Sequence, residues 1–477
     1  MDIVLFDRAF TPFIIGTHML YTIWAMTLPI YIVIAEYLGY KHNDPVYYAI
    51  AKRMTPVMII FFSVGSAFGV MIAISFLTLW YKWMYLVSQI DIMPLIVEVF
   101  AFFMEVIFLA LYVYGWNKFS RTTHLILGIA IAIGANMSAA LITWVNSWMN
   151  TPVGFNIQAY LQTGKIEDVN PWAVFLAPAA RYEIPMAISG AIYAASSALM
   201  MFYAYRMFRV KDPLEKEYYT KGAKLAVYFA SIDAFLVGLT GDYAGKSLAV
   251  EQPLKLAAME DALYSGKGLP EVVGPIKIPK LLSFLATGNP NGYVVGLNAF
   301  PKSEWPPVTI VHNAFDTMAT FGIIIAIISW LIAISLIFKP KNALFRILGL
   351  ADGKPFDHFL PKAAMFISGI LGILAWESGW VAAEVGRQPW VIYGVMLTSQ
   401  AANTSPIVIP VAIALGTVVV FLVVYTYYLL NKVFKTRPIA LDVQRAAEEL
   451  GSLGTAYLNG GSFVKLSSSE GKKEVKK

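Results

Sequence analysis

Cysteine is absent from the 477-residue chain. Disulfides, cysteine-held iron–sulfur clusters and thiolate-ligated haem are therefore excluded. Histidine is scarce, with five copies, so imidazole-ligated metal sites number a few at most. Charge is thin as well. Only 14% of the residues are Asp, Glu, Lys or Arg, where a soluble domain carries about a quarter. The net charge of +6 does not indicate nucleic-acid binding, because the basic residues sort to one side of the apolar runs. A cleavable signal peptide is not expected either. The apolar stretch from Thr11 to Leu38 is too long for such a segment, and no basic region precedes it.

What fills the chain is hydrophobic length. Apolar residues make up 58%, and the mean hydropathy is +0.62. Runs long enough to cross a bilayer predict nine helices, near 11–38, 54–80, 92–116, 123–148, 178–206, 222–241, 309–338, 361–385 and 407–433. The expected fold class is all-α, a polytopic membrane helix bundle with about nine transmembrane helices. Short connections on one side carry Lys41, Lys52, Arg53, Lys118, Arg121, Arg206, Arg209, Lys211, Lys339, Lys341 and Arg346. The other side has only Arg8, Lys82, Lys165, Arg181 and Arg387. That asymmetry predicts a multi-pass plasma-membrane protein with its N-terminus outside and its C-terminus cytoplasmic. Residues 1–435 then form the membrane domain, 242–308 an extracytoplasmic loop, and 436–477 a cytoplasmic tail that starts with an amphipathic helix at Ala440–Leu450.

The most informative stretch is Ala375 to Trp390. Glu377 and Glu384 stand seven residues apart on one helix face, at the end of a bilayer-length run. Carboxyls at membrane depth face a cavity, a metal or a proton path, or else form a protonated pair hydrogen-bonded within the bundle. The run stops at Gly386-Arg387-Gln388-Pro389-Trp390, where proline ends the helix and tryptophan marks the interface. From Gly379 to Trp390 the chain follows the pattern GWxxxExGRQPW, which closely resembles subunit I of cytochrome bd ubiquinol oxidases. Ala101-Phe102-Phe103-Met104-Glu105 in the third helix resembles the same family, as do Gly134 to Ala139 and Asn146 to Pro152 in the fourth. So does the loop from Gly241 to Lys246 and from Gln252 to Glu260. The likeness runs from residue 1 to about 435.

The resemblance implies roles that the residues alone leave open. By chemistry His18 could equally hydrogen-bond a neighbouring helix, whereas the family position makes it an axial ligand of the oxygen-reducing haem. Glu384 takes the place of a carboxylate ligand to a high-spin b haem, and Arg387 that of a propionate partner. Glu105, and less directly Glu98, fall on the family's proton route. At Glu98 the family spacing would put the carboxylate at Val97. Lys255 and Glu260 match quinol-binding positions. Glu377 has no implied role. His124, at the inner end of the fourth helix, reads as interfacial. The implied cofactors are haem b (one or two copies) and haem d, with quinol as substrate. The implied partners are oxygen, membrane lipid and a second membrane subunit.

One site departs from the pattern. The family's histidine ligand to a low-spin haem, early in the fifth helix, is Pro185 here, with Met186 beside it. Its partner methionine is matched by Met318, but the family's arginine two places earlier is Asp316. Met186 and Met318 could ligate together, His312 or Glu183 could substitute, or the haem could be missing. The main expectation is quinol oxidation at the outer face and reduction of oxygen to water. The rival is a haem-depleted paralogue that pairs with an active copy. A transporter would show repeated halves with broken helices, and none are visible.

Overall fold

The computed structural model describes residues 3–273, 276–435, 438–451, 455–458 and 462–465. Among these, nine helices are long and apolar enough to span a membrane. They are α1 (Ile3–His42), α2 (Pro45–Leu79), α3 (Ile92–Gly115), α4 (Arg121–Asn150) and α5 (Ala180–Met207). The others are α6 (Pro213–Glu251), α7 (Val308–Phe338), α8 (Phe359–Val385) and α9 (Val408–Lys435).

Their ends are written in cap chemistry. Asp44 opens α2, its carboxylate accepting the Val46 amide at 2.9 Å ahead of Pro45 in the first turn. Ser120 opens α4 and Asp212 opens α6 in the same way. Such caps explain why helices outrun their apolar stretches. Hydropathy predicts 222–241 for α6, yet the helix has 39 residues. At 1.5 Å per residue it is about 58 Å long, roughly twice the hydrocarbon thickness. Hydropathy reports the depth of lipid, whereas Asp212 and Pro213 fix where the helix starts. The extension carries α6 straight to Gln252, at the head of a short helix, Pro253–Met259, that packs on α7.

Helix contacts are close where side chains are small. A Cβ placed on Gly372 of α8 would meet the Ser197 Cβ of α5 at 2.8 Å. This is the small-residue packing expected where lipid offers no hydrophobic drive between helices. The main apolar core joins α1, α2, α5, α6 and α7, with Tyr31, Tyr203 and Tyr218 fully buried within it. Phe100, Phe103 and Tyr114 of α3, and Phe421, Val424 and Tyr427 of α9, are exposed in broad apolar faces. Such faces belong against lipid or another membrane subunit.

The segment between α6 and α7 is ordered by short pieces. Besides Pro253–Met259 it holds a helix at Leu281–Thr287. Glu271–Val273 pairs antiparallel with Ile276–Ile278. On the opposite, basic side, the amphipathic helix lies at Ile439–Glu449 and packs on α2, one residue from its expected bounds. Beyond it, Thr455–Leu458 pairs with Ser462–Lys465, and the rest of the tail lies outside the described residues.

Candidate functional site

At the end of the bundle away from the basic side, three helix termini and the short loop helix converge. The last two turns of α4 supply Asn146, Ser147 and Asn150. The first turn of α5 supplies Glu183, and Gln252 and Lys255 come from the loop. Glu384 and Arg387 come from the end of α8. Asn150 Nδ2 donates to Glu183 Oε1 at 2.6 Å, and Ser147 Oγ donates to Oε2 at 2.8 Å. Lys255 Nζ donates to Asn150 Oδ1 at 3.1 Å. Asn150 Nδ2 also donates to Asn146 Oδ1 at 2.8 Å, an oxygen shared with Arg387 Nη1 at 3.2 Å. Asn146 Nδ2 and Arg387 Nη2 both donate to the Glu384 carboxylate.

Two carboxylates thus face two cations across two asparagines. Unpaired charges there would be costly, whereas a matched set is tolerated. Lys255 is buried, and desolvation pushes its ammonium down to about 8, with Glu183 pulling the other way. The Glu384 side chain is 38% exposed and Arg387 only 3%, so the carboxylate looks outward from a buried cation.

A second polar group lies nearby on the loop and α7. The Glu260 and Glu271 carboxyls are within hydrogen-bonding reach of each other. Burial, reinforced by Glu271 and Asp316, lifts Glu260 well above the ordinary carboxylate range. Glu271 is raised too, again chiefly by burial. His312 Nδ1 donates to the Met259 carbonyl at 2.7 Å, and its Nε2 is 3.7 Å from Asp316 Oδ2. The imidazole is thereby tied to the loop.

The remaining candidate donors sit deeper. Nδ1 of His18 is buried and has no hydrogen-bond partner among the described residues. Its ring lies over Gly69 of α2, where an added Cβ would meet Cε1 at 3.7 Å. Glu377 presses on α1, its Oε2 at 2.9 Å from a Cβ placed on Gly16, while Oε1 and the neighbouring Trp376 Nε1 are buried without a hydrogen-bond partner among the described residues. Met186 accepts a hydrogen bond from Thr240 Oγ1 at 3.6 Å. Met318 Sδ lies 2.9 Å from a Cβ placed on Gly379, so this glycine makes room for the thioether. A Cβ on Gly238 or Gly245 of α6, or on Gly322 of α7, would meet nothing within 4 Å. Gly238 is on the exposed outer face of α6, whereas Gly245 and Gly322 are half-buried and leave room beside the helices that carry and flank the two methionines. Among the described residues no three His, Cys, Asp or Glu side chains gather around one point that could hold a bare metal ion. Single imidazole, carboxylate and thioether donors, an arginine and open glycine faces suit iron porphyrins instead.

On α3, Glu98 accepts from Ser138 Oγ at 2.8 Å. Glu105 is buried one heptad further on, its Cβ 3.4 Å from a Cβ placed on Gly134 of α4. His124 lies in the first turn of α4, at its inner end as the sequence suggested. It is 2% exposed and held by Glu36, because α1 extends far enough to bring that carboxylate beside it. Reading by motif also passed over Asn150 and Glu271, and treated Glu183 only as a substitute ligand. A buried-run acid such as Glu36 was the visible signal, since charge inside a bilayer-length stretch is itself unusual.

Fold and donor set together define a class: a multi-pass helical membrane protein fitted to hold redox groups between its helices. The model of the cytochrome bd terminal oxidase subunit I family matches residues 6–438, and the chain belongs to that family. It is 29% identical over 469 residues to a putative cytochrome bd menaquinol oxidase subunit I of Bacillus subtilis (strain 168), covering 94% of this chain and all of that one. Over 410 residues it is 27% identical to the cytochrome bd ubiquinol oxidase subunit 1 of the same organism, covering 81% of this chain and 83% of that one. Its structure is similar to that of the bd oxidase from Geobacillus thermodenitrificans, with a TM-score of 0.82 and 31% identity over 92% of this chain and 99% of that one. The protein is thus a bd-type terminal oxidase subunit, an enzyme component of a respiratory membrane.

Proposed function

We propose that this subunit oxidises quinol at the outer face of the plasma membrane and reduces oxygen to water within the bundle. The supporting observation is the chain Lys255–Asn150–Asn146–Glu384/Arg387, which ties the loop between α6 and α7 to the rim of α8. Quinol chemistry on the loop and haem ligation at α8 then share one hydrogen-bond network.

Bound haem supplies the one-electron relay and the reduction of oxygen. The chain's own residues position and protonate. Lys255 holds a quinol oxygen, and its lowered proton affinity lets it follow the change in charge as quinol is oxidised. Glu260, its proton affinity raised by burial and further by Glu271, accepts a quinol proton. Arg387 would pair with a carboxylate of the bound haem, and His18 and Glu384 would each supply a donor to a haem iron. Met186 and Met318 would hold the low-spin haem, and a thioether pair would favour its reduced iron. Glu105, with Glu98, carries protons to the oxygen site from the basic side, which the charge asymmetry makes cytoplasmic. A second membrane subunit covers an exposed apolar face.

The alternative, a haem-depleted paralogue paired with an active copy, is favoured by Pro185 and Asp316 at the low-spin position and by Glu98 standing one residue off the family spacing. Met318→Leu separates the two readings. If Met318 ligates, this variant loses the low-spin band from the reduced spectrum while the high-spin bands remain. A spectrum identical to wild type removes Met318 from the ligand set.

The paired acids give a pH test on quinol oxidation. The acceptor must be deprotonated, and Glu271 raises Glu260. Glu271→Gln therefore lowers the proton affinity of Glu260 and moves the acid limb of the kcat/KM profile for quinol to lower pH. An unmoved or upward-shifted limb contradicts the assignment. The direct test of the whole reading is quinol-dependent oxygen uptake by the purified complex. Lys255→Met is expected to raise the KM for quinol about tenfold with little change in kcat, a loss of roughly 1.4 kcal/mol in binding.

A further inference from the structure

At the basic end of the bundle, one heptad along α3 beyond Glu105, three buried polar side chains close on one another. Glu36 of α1 is 0% exposed, Tyr112 of α3 1% and His124 of α4 2%. Tyr112 donates its hydroxyl to Glu36 Oε2 at 2.6 Å. His124 Nδ1 meets Glu36 Oε1 at 2.6 Å, and its Nε2 meets the Tyr112 carbonyl at 3.0 Å.

That geometry fixes a proton. A carbonyl oxygen can only accept, so Nε2 carries the hydrogen it shares with Tyr112. A neutral ring in that tautomer would turn its Nδ1 lone pair onto the carboxylate. At 2.6 Å two lone pairs repel, and the contact needs a proton between them. The pair therefore holds one proton more than a neutral imidazole beside a free carboxylate, whether it is drawn on His124 or on Glu36.

The cluster has a polar approach and an onward direction. Tyr40 lies within hydrogen-bonding reach of both Glu36 and Tyr48. Tyr48 donates to Glu449 at 3.2 Å, and Lys52 binds the same carboxylate at 2.6 Å. The Lys52 and Glu449 side chains are 29% and 22% exposed, so this line reaches the surface. Arg121 stacks on Tyr40, and together with Lys52 it keeps this mouth cationic. Inward, Tyr112, Glu105 and Glu98 repeat every seven residues along α3 and so share one face. Each interval is about 10 Å, a span of two or three waters. Gly128 and Gly134 of α4 keep that seam close to Tyr112 and Glu105 respectively.

The geometry points to the Glu36–His124–Tyr112 cluster as the loading site through which cytoplasmic protons enter the route to Glu105. This rests on the proposed oxidase function. In each cycle the shared proton leaves toward Glu105, and the pair is left as neutral imidazole and carboxylate. A proton from bulk water, passed through the Tyr48 and Tyr40 hydroxyls, restores it. No group is oxidised or reduced in this step. The charged and titratable groups around the pair are Tyr40, Tyr48, Tyr112, Lys52, Arg121 and Glu449. Glu36 and His124 act on oxygen chemistry only through Glu105 and are positioning and relay residues.

The test uses the complete oxidase in proteoliposomes, comparing wild type with Glu36→Gln, Glu36→Asp and Tyr40→Phe. Glu36→Gln is expected to lower kcat about tenfold or more. The KM for quinol and the reduced haem spectrum stay at wild-type values, and the solvent deuterium isotope effect on kcat rises. Glu36→Asp restores most of the turnover, and Tyr40→Phe slows it by a smaller factor with the same isotope signature. Wild-type kcat in Glu36→Gln across the neutral pH range overturns the inference, as does a loss of turnover accompanied by altered haem content. An inactive wild-type complex would overturn the oxidase reading along with it, whereas an active one with indifferent variants overturns this inference alone.

Discussion

His18→Ala is expected to yield a folded protein that has lost oxygen reduction. Activity should fall by more than the 10–100-fold typical of losing a metal ligand's supporting contacts. The stability side of this expectation follows from Nδ1. It is buried without a partner among the described residues, and an orphaned polar atom costs about 1–3 kcal/mol. Removing it offsets much of the cost of the cavity left behind. The ring also has a backbone hydrogen-bond partner in Gly65 of α2. If that contact and packing were its whole role, alanine would cost stability and spare the chemistry. Thermal unfolding of the apo-protein beside turnover of the haem-loaded complex separates the two cases. Near-normal unfolding with lost high-spin absorbance and lost turnover supports ligation, and retained turnover contradicts it.

Glu105→Gln is expected to lower kcat about 100-fold while leaving the KM for quinol unchanged. The amide keeps the shape of a side chain that is buried against Gly134, but it cannot give up and regain a proton. Glu98, hydrogen-bonded by Ser138, cannot replace it, because it lies one heptad further along the same face. Glu105→Asp should recover part of the rate. Stopped-flow oxidation of the fully reduced complex checks the step: electron entry stays fast and proton-coupled oxygen reduction slows. Equal slowing of quinol oxidation would place Glu105 elsewhere in the cycle.

The helices, their side-to-side charge bias and the Gly379–Trp390 rim could be read directly, because each is a local pattern. Apolar runs count residues through lipid, and a proline-tryptophan ending marks an interface wherever the chain goes next. His18 was also visible, since an imidazole stands out in an apolar stretch, whereas Met318, one of 19 methionines, was singled out only by the family resemblance. The networks were not legible. Glu384 meets Asn146 across 238 residues and His124 meets Glu36 across 88. Neither partner sits in a periodic pattern that announces the other. The resemblance places Lys255 at a quinol-binding position, but nothing in the sequence shows that the long extension of α6 delivers it into a buried seat beside Asn150. Glu271 likewise becomes meaningful only when the loop folds Glu260 against it.

The most direct measurement of the central claim is the dithionite-reduced absorption spectrum of the purified protein with its partner subunit. The account predicts b-haem bands and a red-shifted chlorin band, with the high-spin signals lost in His18→Ala and Glu384→Ala. A preparation that folds and assembles yet shows no haem absorbance would contradict it.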